Sequence, residues 1–234
     1  MIDCPRVLKL ALLLVVLLGV ASCVCDDRDE RIAKARERHG IVAEEAGTEV
    51  VVELSPGAQL FRDKSCHTCH GEDGINSILP SYPVIARQGY EYALQQMKDI
   101  QSGGRHNGQT AAMKALVQGV TEEEFAILAD FIANELGDGA PIGLGNPDPE
   151  SPGGKLFQTK TCWGCHGKDG VSPILPEYPR IAGLTPEYAI QQMTDIKSGA
   201  RANSMAVKGM QGIMHLVNED EIKQLAEYIH SMPR

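Results

Sequence analysis

The chain has 234 residues, of which 43% are hydrophobic and only 5% aromatic, with a formal net charge of −9. That length allows one ordinary domain or two small ones, and small domains this poor in aromatic residues bury little core without a staple such as a disulfide or a metal centre. The acidic balance argues against nucleic-acid binding, which calls for a clustered basic surface.

Residues 1–22 read as a secretory signal. Arg6 and Lys9 precede an apolar run from Leu10 to Val20, too short for a bilayer that needs about 20 apolar residues. The run ends in Val20-Ala21-Ser22-Cys23. A hydrophobic residue, two small ones and a cysteine have the pattern of a bacterial lipobox, which makes Cys23 the lipidated first residue of the mature chain. The competing reading is a plain signal peptide cleaved near Ala21 or Ser22. Either places the protein outside the cytoplasm, and a lipid would hold it on a membrane surface. Residues 23–54 form a charged tether, from Asp26-Asp27-Arg28-Asp29-Glu30 through Glu44-Glu45. His39 there reads as an isolated surface histidine, and Val50-Val51-Val52 is the one strand-like stretch.

The rest of the chain is a repeat, residues 55–136 returning at 151–234 with a shift of 96. Ser55-Pro56-Gly57 matches Ser151-Pro152-Gly153, Ile78-Leu79-Pro80 matches Ile174-Leu175-Pro176, and Gln95-Gln96-Met97 matches Gln191-Gln192-Met193. After Asn107 and Asn203 the second copy gains one residue, so later positions shift by 97. Residues 137–150, rich in Gly, Pro and Asp, form a linker. Each copy predicts about three helices. Ser55 or Ser151 caps the first, with proline at its first position. Thr185-Pro186-Glu187 opens a middle helix, and Thr121 with Glu124, or Asn218 with Glu221, opens the last. The expected fold is all-α, twice. The first copy carries 6 basic and 11 acidic residues over 51–136, the second 9 and 8. Ordinary solvated surface accounts for this difference, and docking of different partners by the two halves is the sharper alternative.

Cys66-His67-Thr68-Cys69-His70 and Cys162-Trp163-Gly164-Cys165-His166 are both C-x-x-C-H. One helical turn brings the two thiols to one edge, where each can form a thioether with a haem vinyl group, and the adjacent histidine turns its imidazole to the iron. Zinc would call for further cysteines or paired histidines, which neither copy has. Two covalent haem c groups follow. Of seven cysteines, these four hold haem, Cys23 takes lipid and Cys4 leaves with the signal, so Cys25 stands alone.

An electron carrier needs a second axial ligand, and the soft sulfur of methionine stabilises ferrous iron. Met113 precedes Thr121 by the same eight residues that separate Met210 from Asn218. Met205 and Met214 lack such equivalence and read as packing or loop residues, and Met97 and Met193 read as core. His106 and His215 do not recur between copies. Arg105 with Asn107, and Arg201 with Asn203, do recur, and suit either haem-propionate or backbone hydrogen bonding, or loop shaping. A proline carbonyl, from Pro80 and Pro176, is expected to accept the ring N–H of each histidine.

With C-x-x-C-H-G-x-D-G, I-L-P-x-Y-P, Y-A-x-Q-Q-M-x-D-I-x-S-G-x-R and the spacing from methionine to the last helix, the chain resembles the class I cytochromes c, and most closely the dihaem cytochrome c4 type, over about residues 55–234. The resemblance implies two tandem cytochrome domains with their haems close together and axial pairs His70/Met113 and His166/Met210. It implies transfer of electrons between periplasmic donors and membrane oxidases or reductases, with redox proteins as partners. Iron closed on both faces by protein has no place for a small-molecule substrate, so the expected protein is a carrier and not an enzyme. The alternatives are the cytochrome subunit of an oxidoreductase complex and a dihaem peroxidase, which would need an open iron site.

Overall fold

A computed structural model describes residues 53–234, which form one compact unit. The signal, Cys23 and almost all of the tether, including His39 and Val50–Val52, lie outside the described residues. Ten helical segments follow in order: α1 Pro56–Asp63, α2 His67–His70, α3 Tyr90–Ser102, α4 Thr110–Val117 and α5 Glu122–Asn134, then α6 Pro152–Thr159, α7 Trp163–His166, α8 Pro186–Ser198, α9 Met205–Met214 and α10 Glu219–Ser231. No strand occurs among the described residues.

The three helices expected per copy are α1, α3 and α5, repeated as α6, α8 and α10, and their caps lie where the sequence puts them. Ser55 Oγ accepts from the Ala58 N–H at 3.2 Å and Ser151 Oγ from the Gly154 N–H at 3.1 Å, each with proline in the first turn. Both last helices carry complete capping boxes, Thr121 with Glu124 and Asn218 with Glu221. Each satisfies two N–H groups that a helix start would otherwise leave without partners. Each copy holds two further segments that helical periodicity alone does not announce: the single turn α2 or α7 inside C-x-x-C-H, and the short helix α4 or α9 that bears the candidate methionine.

Within each copy the last helix packs across the first and the third, and α4 or α9 lies along α3 or α8. Phe125, Leu128 and Ile132, and Ile222, Leu225 and Ile229, form the buried faces. Phe61 packs tilted against Phe131 with ring centroids 5.5 Å apart, and Phe157 against Tyr228 at the same distance. Gly153 lets α6 approach α10 so closely that a Cβ there would stand 2.1 Å from the Gln224 carbonyl oxygen.

The end of α1 decides where the first thiol points. The Ser65 N–H bonds the Arg62 carbonyl and the Cys66 N–H bonds the Phe61 carbonyl, the paired bonds of a Schellman ending. Its left-handed position is taken by Ser65 at φ 58°, and by Thr161 at φ 57° in the second copy, where glycine would be free of strain. A Cβ in that conformation costs roughly 1–2 kcal/mol.

The copies are joined by a buried polar network with twofold symmetry. Arg105 donates across the seam from Nη2 to Tyr188 OH at 3.1 Å and Gln192 Oε1 at 2.9 Å, and within its own copy from Nη1 to Gln96 Oε1 at 3.0 Å. Arg201 mirrors it, donating to Tyr92 OH at 3.2 Å, Gln96 Oε1 at 3.1 Å and Gln192 Oε1 at 3.0 Å. Asn107 Nδ2 donates to Asp195 Oδ2 at 2.7 Å, and Asn203 Nδ2 to Asp99 Oδ2 at 2.5 Å. The repeated Y-x-x-x-Q-x-x-D…R-x-N signature is therefore a seam. Each arginine bonds side chains of both copies, two in its own and two in the opposite one. Thr185 Oγ1 adds a bond to the Pro80 carbonyl oxygen at 2.5 Å.

Two outcomes test this packing. Ser65→Gly should stabilise the folded protein by about 1 kcal/mol in chemical unfolding by removing the left-handed Cβ. Arg105→Gln should cost about 2–4 kcal/mol, since it strips charge-assisted bonds from buried Tyr188 and Gln192. It should also split a single unfolding transition into two.

Candidate haem centres

Each centre grows from one turn of helix. Residues 66 and 69 are three apart in α2 and its cap, so both sulfurs lie on the same face, and Cys162 and Cys165 repeat this in α7. Cys66 and Cys162 pack against the hydrophobic core, and burial pushes each thiol up to about 11. A redox-active C-x-x-C works with a thiol pulled down toward neutrality. These two remain protonated, as partners for thioether formation rather than disulfide exchange.

The histidines at the end of each turn are buried. Nδ1 of His70 lies 3.2 Å from the Pro83 carbonyl oxygen and Nδ1 of His166 lies 3.1 Å from that of Pro179. A carbonyl only accepts, so Nδ1 carries the proton and the lone pair sits on Nε2, the nitrogen an iron can take. Burial, opposed in part by that carbonyl, holds both rings below the usual histidine range, hence neutral and ready to ligate. The accepting residues are not Pro80 and Pro176. Those lie three residues too early, and the Pro80 carbonyl is engaged by Thr185 across the seam. The second proline of I-L-P-x-Y-P does the work, and its place 13 residues after the histidine, the same in both copies, was the available signal.

The conserved spacing between copies after each histidine has a backbone cause. Gly71 and Gly167 turn at φ 78° and 80°, and a Cβ there would meet the carbonyl oxygen of Asn76 at 2.4 Å or Ser172 at 2.5 Å. Asp73 Oδ1 then accepts from the N–H groups of Ile75 and Asn76 at 2.8 and 2.9 Å, and Asp169 Oδ1 from those of Val171 and Ser172 at 3.0 and 2.9 Å. Slight burial works to raise both carboxyls, but these bonds outweigh it and hold them below the usual range. The turned chain comes back to the second cysteine, where the Ile78 N–H bonds the Cys69 carbonyl and the Ile174 N–H bonds that of Cys165. Ile78 and Ile174, with Leu79 and Leu175 after them, are exposed apolar side chains.

Met113 on α4 and Met210 on α9 are half-buried and pack against the core. The extra residue of the second copy is taken up at the start of α9, where Ser204 caps a helix of 10 residues against 8 in α4. Of the competing groups, Met97, Met193 and Met214 are fully buried in the core, while Met205 is exposed. His106 is exposed and turned to the Gly103 carbonyl, and His215 is an exposed helix end. Among the described residues no three His, Cys, Asp or Glu side chains converge as a metal cluster. The donor set of each copy thus fits haem c: two thiols one turn apart, a neutral imidazole with Nε2 available, an apolar wall and a thioether.

Comparison with known proteins agrees. The family described as cytochrome c matches residues 54–135 and again 151–233. Cytochrome c4 of Pseudomonas aeruginosa is 30% identical over 174 residues, covering 71% of this chain and 83% of that protein. The crystal structure of reduced recombinant cytochrome c4 from Pseudomonas stutzeri superposes with a TM-score of 0.64 at 26% identity, covering 75% of this chain and 96% of that one. A protein described as a thiosulfate dehydrogenase electron acceptor, from Stutzerimonas stutzeri, is 28% identical over 173 residues, covering 70% of this chain and 77% of that protein. The chain belongs to the cytochrome c family, as an all-α dihaem electron-transfer cytochrome with two covalently bound haem c groups, one for each copy of the repeat.

Proposed function

We propose that this cytochrome carries electrons on the periplasmic side of a bacterial membrane, between respiratory or dehydrogenase donors and a terminal oxidase or reductase. Cys66 and Cys69 hold one haem by thioethers and Cys162 and Cys165 the other, with axial pairs His70/Met113 and His166/Met210. Bound there, each haem supplies an iron that gains and loses one electron. The observation that carries this reading is the duplicated arrangement of a buried histidine, fixed by a proline carbonyl at Nδ1, with a half-buried methionine on the next short helix. What the chain itself does is hold those ligands still. The imidazole is locked by Pro83 or Pro179, the methionine helix is anchored on α3 or α8, and the copies are fixed to each other by the arginine seam.

In this reading residues 1–22 are a lipoprotein-type signal, Cys23 carries the lipid, 23–54 tether the carrier, and 55–136 and 151–234 are the two cytochrome domains joined by 137–150. No helix of the described residues is long and apolar enough to cross a membrane. A second reading, a dedicated acceptor within an oxidoreductase complex, is favoured by the similarity to the thiosulfate dehydrogenase electron acceptor. Stable co-purification with a dehydrogenase would select it over a free shuttle.

Two measurements test the assignment. In Met113→Leu and in Met210→Leu the sulfur-to-iron charge-transfer band of the ferric protein should fall to about half, with a lower potential for one haem in each, because loss of the thioether favours ferric iron. A full band in either variant would remove that methionine from the ligand set. Cys23→Ser should move the protein from the membrane fraction to the soluble periplasmic fraction, and unchanged fractionation would exclude a lipid at that residue.

A further inference from the structure

The two attachment turns share their cysteines and histidine but differ at three equivalent positions. Arg62, His67 and Glu72 of the first copy stand where the second has Gln158, Trp163 and Lys168. In the first copy Arg62 Nη2 pairs with Glu72 Oε2 at 2.9 Å, so the charges at this place cancel, and His67 Nδ1 is buried without a hydrogen-bond partner. In the second copy Trp163 Nε1 donates to the Gln158 carbonyl at 3.3 Å, and Lys168 Nζ lies 5.8 Å from the centre of the indole ring. Lys168 is exposed, and among the described residues it forms no ion pair. Lys160, also close in sequence, is turned instead to the Glu221 carboxylate and the Leu216 carbonyl. The Asp169 carboxylate is taken up by the N–H groups of Val171 and Ser172, as Asp73 is by its own turn, so it does not distinguish the copies.

Trp163 is the single tryptophan of the chain, and it is 42% exposed. Its one polar atom is already satisfied by Gln158, and that bond together with the lysine holds the ring in place. Covering it would therefore strand no donor and freeze little side-chain freedom, the two costs that most weaken association. A rigid aromatic side chain of this kind is what anchors an interface. The charge around it selects the partner. The first copy carries 6 basic against 11 acidic residues and the second 9 against 8, so an acidic protein is repelled by the first copy and drawn by Lys168 toward Trp163. A membrane fits less well, because a lone lysine gives anionic lipid little to hold.

Resting on the electron-carrier reading, we propose that Trp163 and Lys168 form the docking point for an acidic one-electron redox protein, which makes the second copy the port through which this carrier meets it. Trp163 anchors the partner and Lys168 steers it. One electron then passes between the second haem iron and the partner's centre, and what one gains the other loses.

The test mixes the purified, reduced dihaem protein with oxidised plastocyanin, a small acidic copper protein, as the probe. A ferrous haem gives up one electron and cupric copper becomes cuprous. Lys168→Glu and Trp163→His each install, at an exposed position, the residue the first copy already carries. Lys168→Glu should slow the second-order reaction about tenfold at low ionic strength, and the difference should close at high salt. Trp163→His should weaken binding of the probe about tenfold whatever the salt. Carbodiimide treatment of the wild-type mixture should couple Lys168 to carboxylates of the probe, as read by peptide mass mapping. Rates and affinities unchanged in both variants, or cross-links confined to the first copy, would overturn the docking point. Binding of the Cys23→Ser protein to phosphatidylglycerol vesicles that disappears on adding Trp163→His would overturn the acidic protein as partner and give this face to lipid. Haems of the wild-type protein that fail to cycle between dithionite and ferricyanide would instead overturn the carrier reading, and the port with it.

Discussion

Everything in this protein is organised around a hydrogen bond from an imidazole to a proline carbonyl, made once in each half. It fixes the tautomer, turns the lone pair of Nε2 outward and sets the ring plane. The rest of each copy serves to keep the two partners of that bond together. The histidine is delivered by a strained Schellman ending and one turn of helix, and the proline by a glycine turn braced with an aspartate. A ligand held so firmly changes little when iron changes its charge, which is the condition for fast electron transfer through a site that performs no bond chemistry.

The second level of order is the seam. Two identical signatures could have produced two independent beads on a string, but the repeated Tyr, Gln, Asp, Arg and Asn residues bond across a twofold relation. Each glutamine oxygen accepts from both arginines. Such a network tolerates little sliding, because displacement would leave buried guanidinium and amide groups without partners. The two halves therefore keep a fixed relation to each other.

The local features were legible in the sequence because their causes are local. C-x-x-C-H, the serine-proline starts, the capping boxes and the buried face of the last helix each lie within a few residues, and each appears in the structure. The short helices α4 and α9 were not evident, since Thr110–Val117 and Met205–Met214 mix alanine, glycine and methionine without a clean apolar stripe and are held by α3 and α8. Pro80 and Pro176 were expected to support the histidines, and Pro83 and Pro179 do so, because a chain reversal through a glycine turn decides which carbonyl arrives at the ring. The role of Arg105 and Arg201 was hidden for a deeper reason. Their partners across the seam are more than 80 residues away in the sequence, in a copy whose identical motif gives no hint that the two signatures read each other.

The central claim is that each half of one polypeptide grips its own porphyrin covalently. Mass spectrometry of the denatured protein, produced with an intact cytochrome c maturation system, tests it most directly. The account predicts a polypeptide heavier by two haem groups that stay attached after unfolding and acid extraction. A chain carrying one haem, or releasing its porphyrin on denaturation, would contradict it.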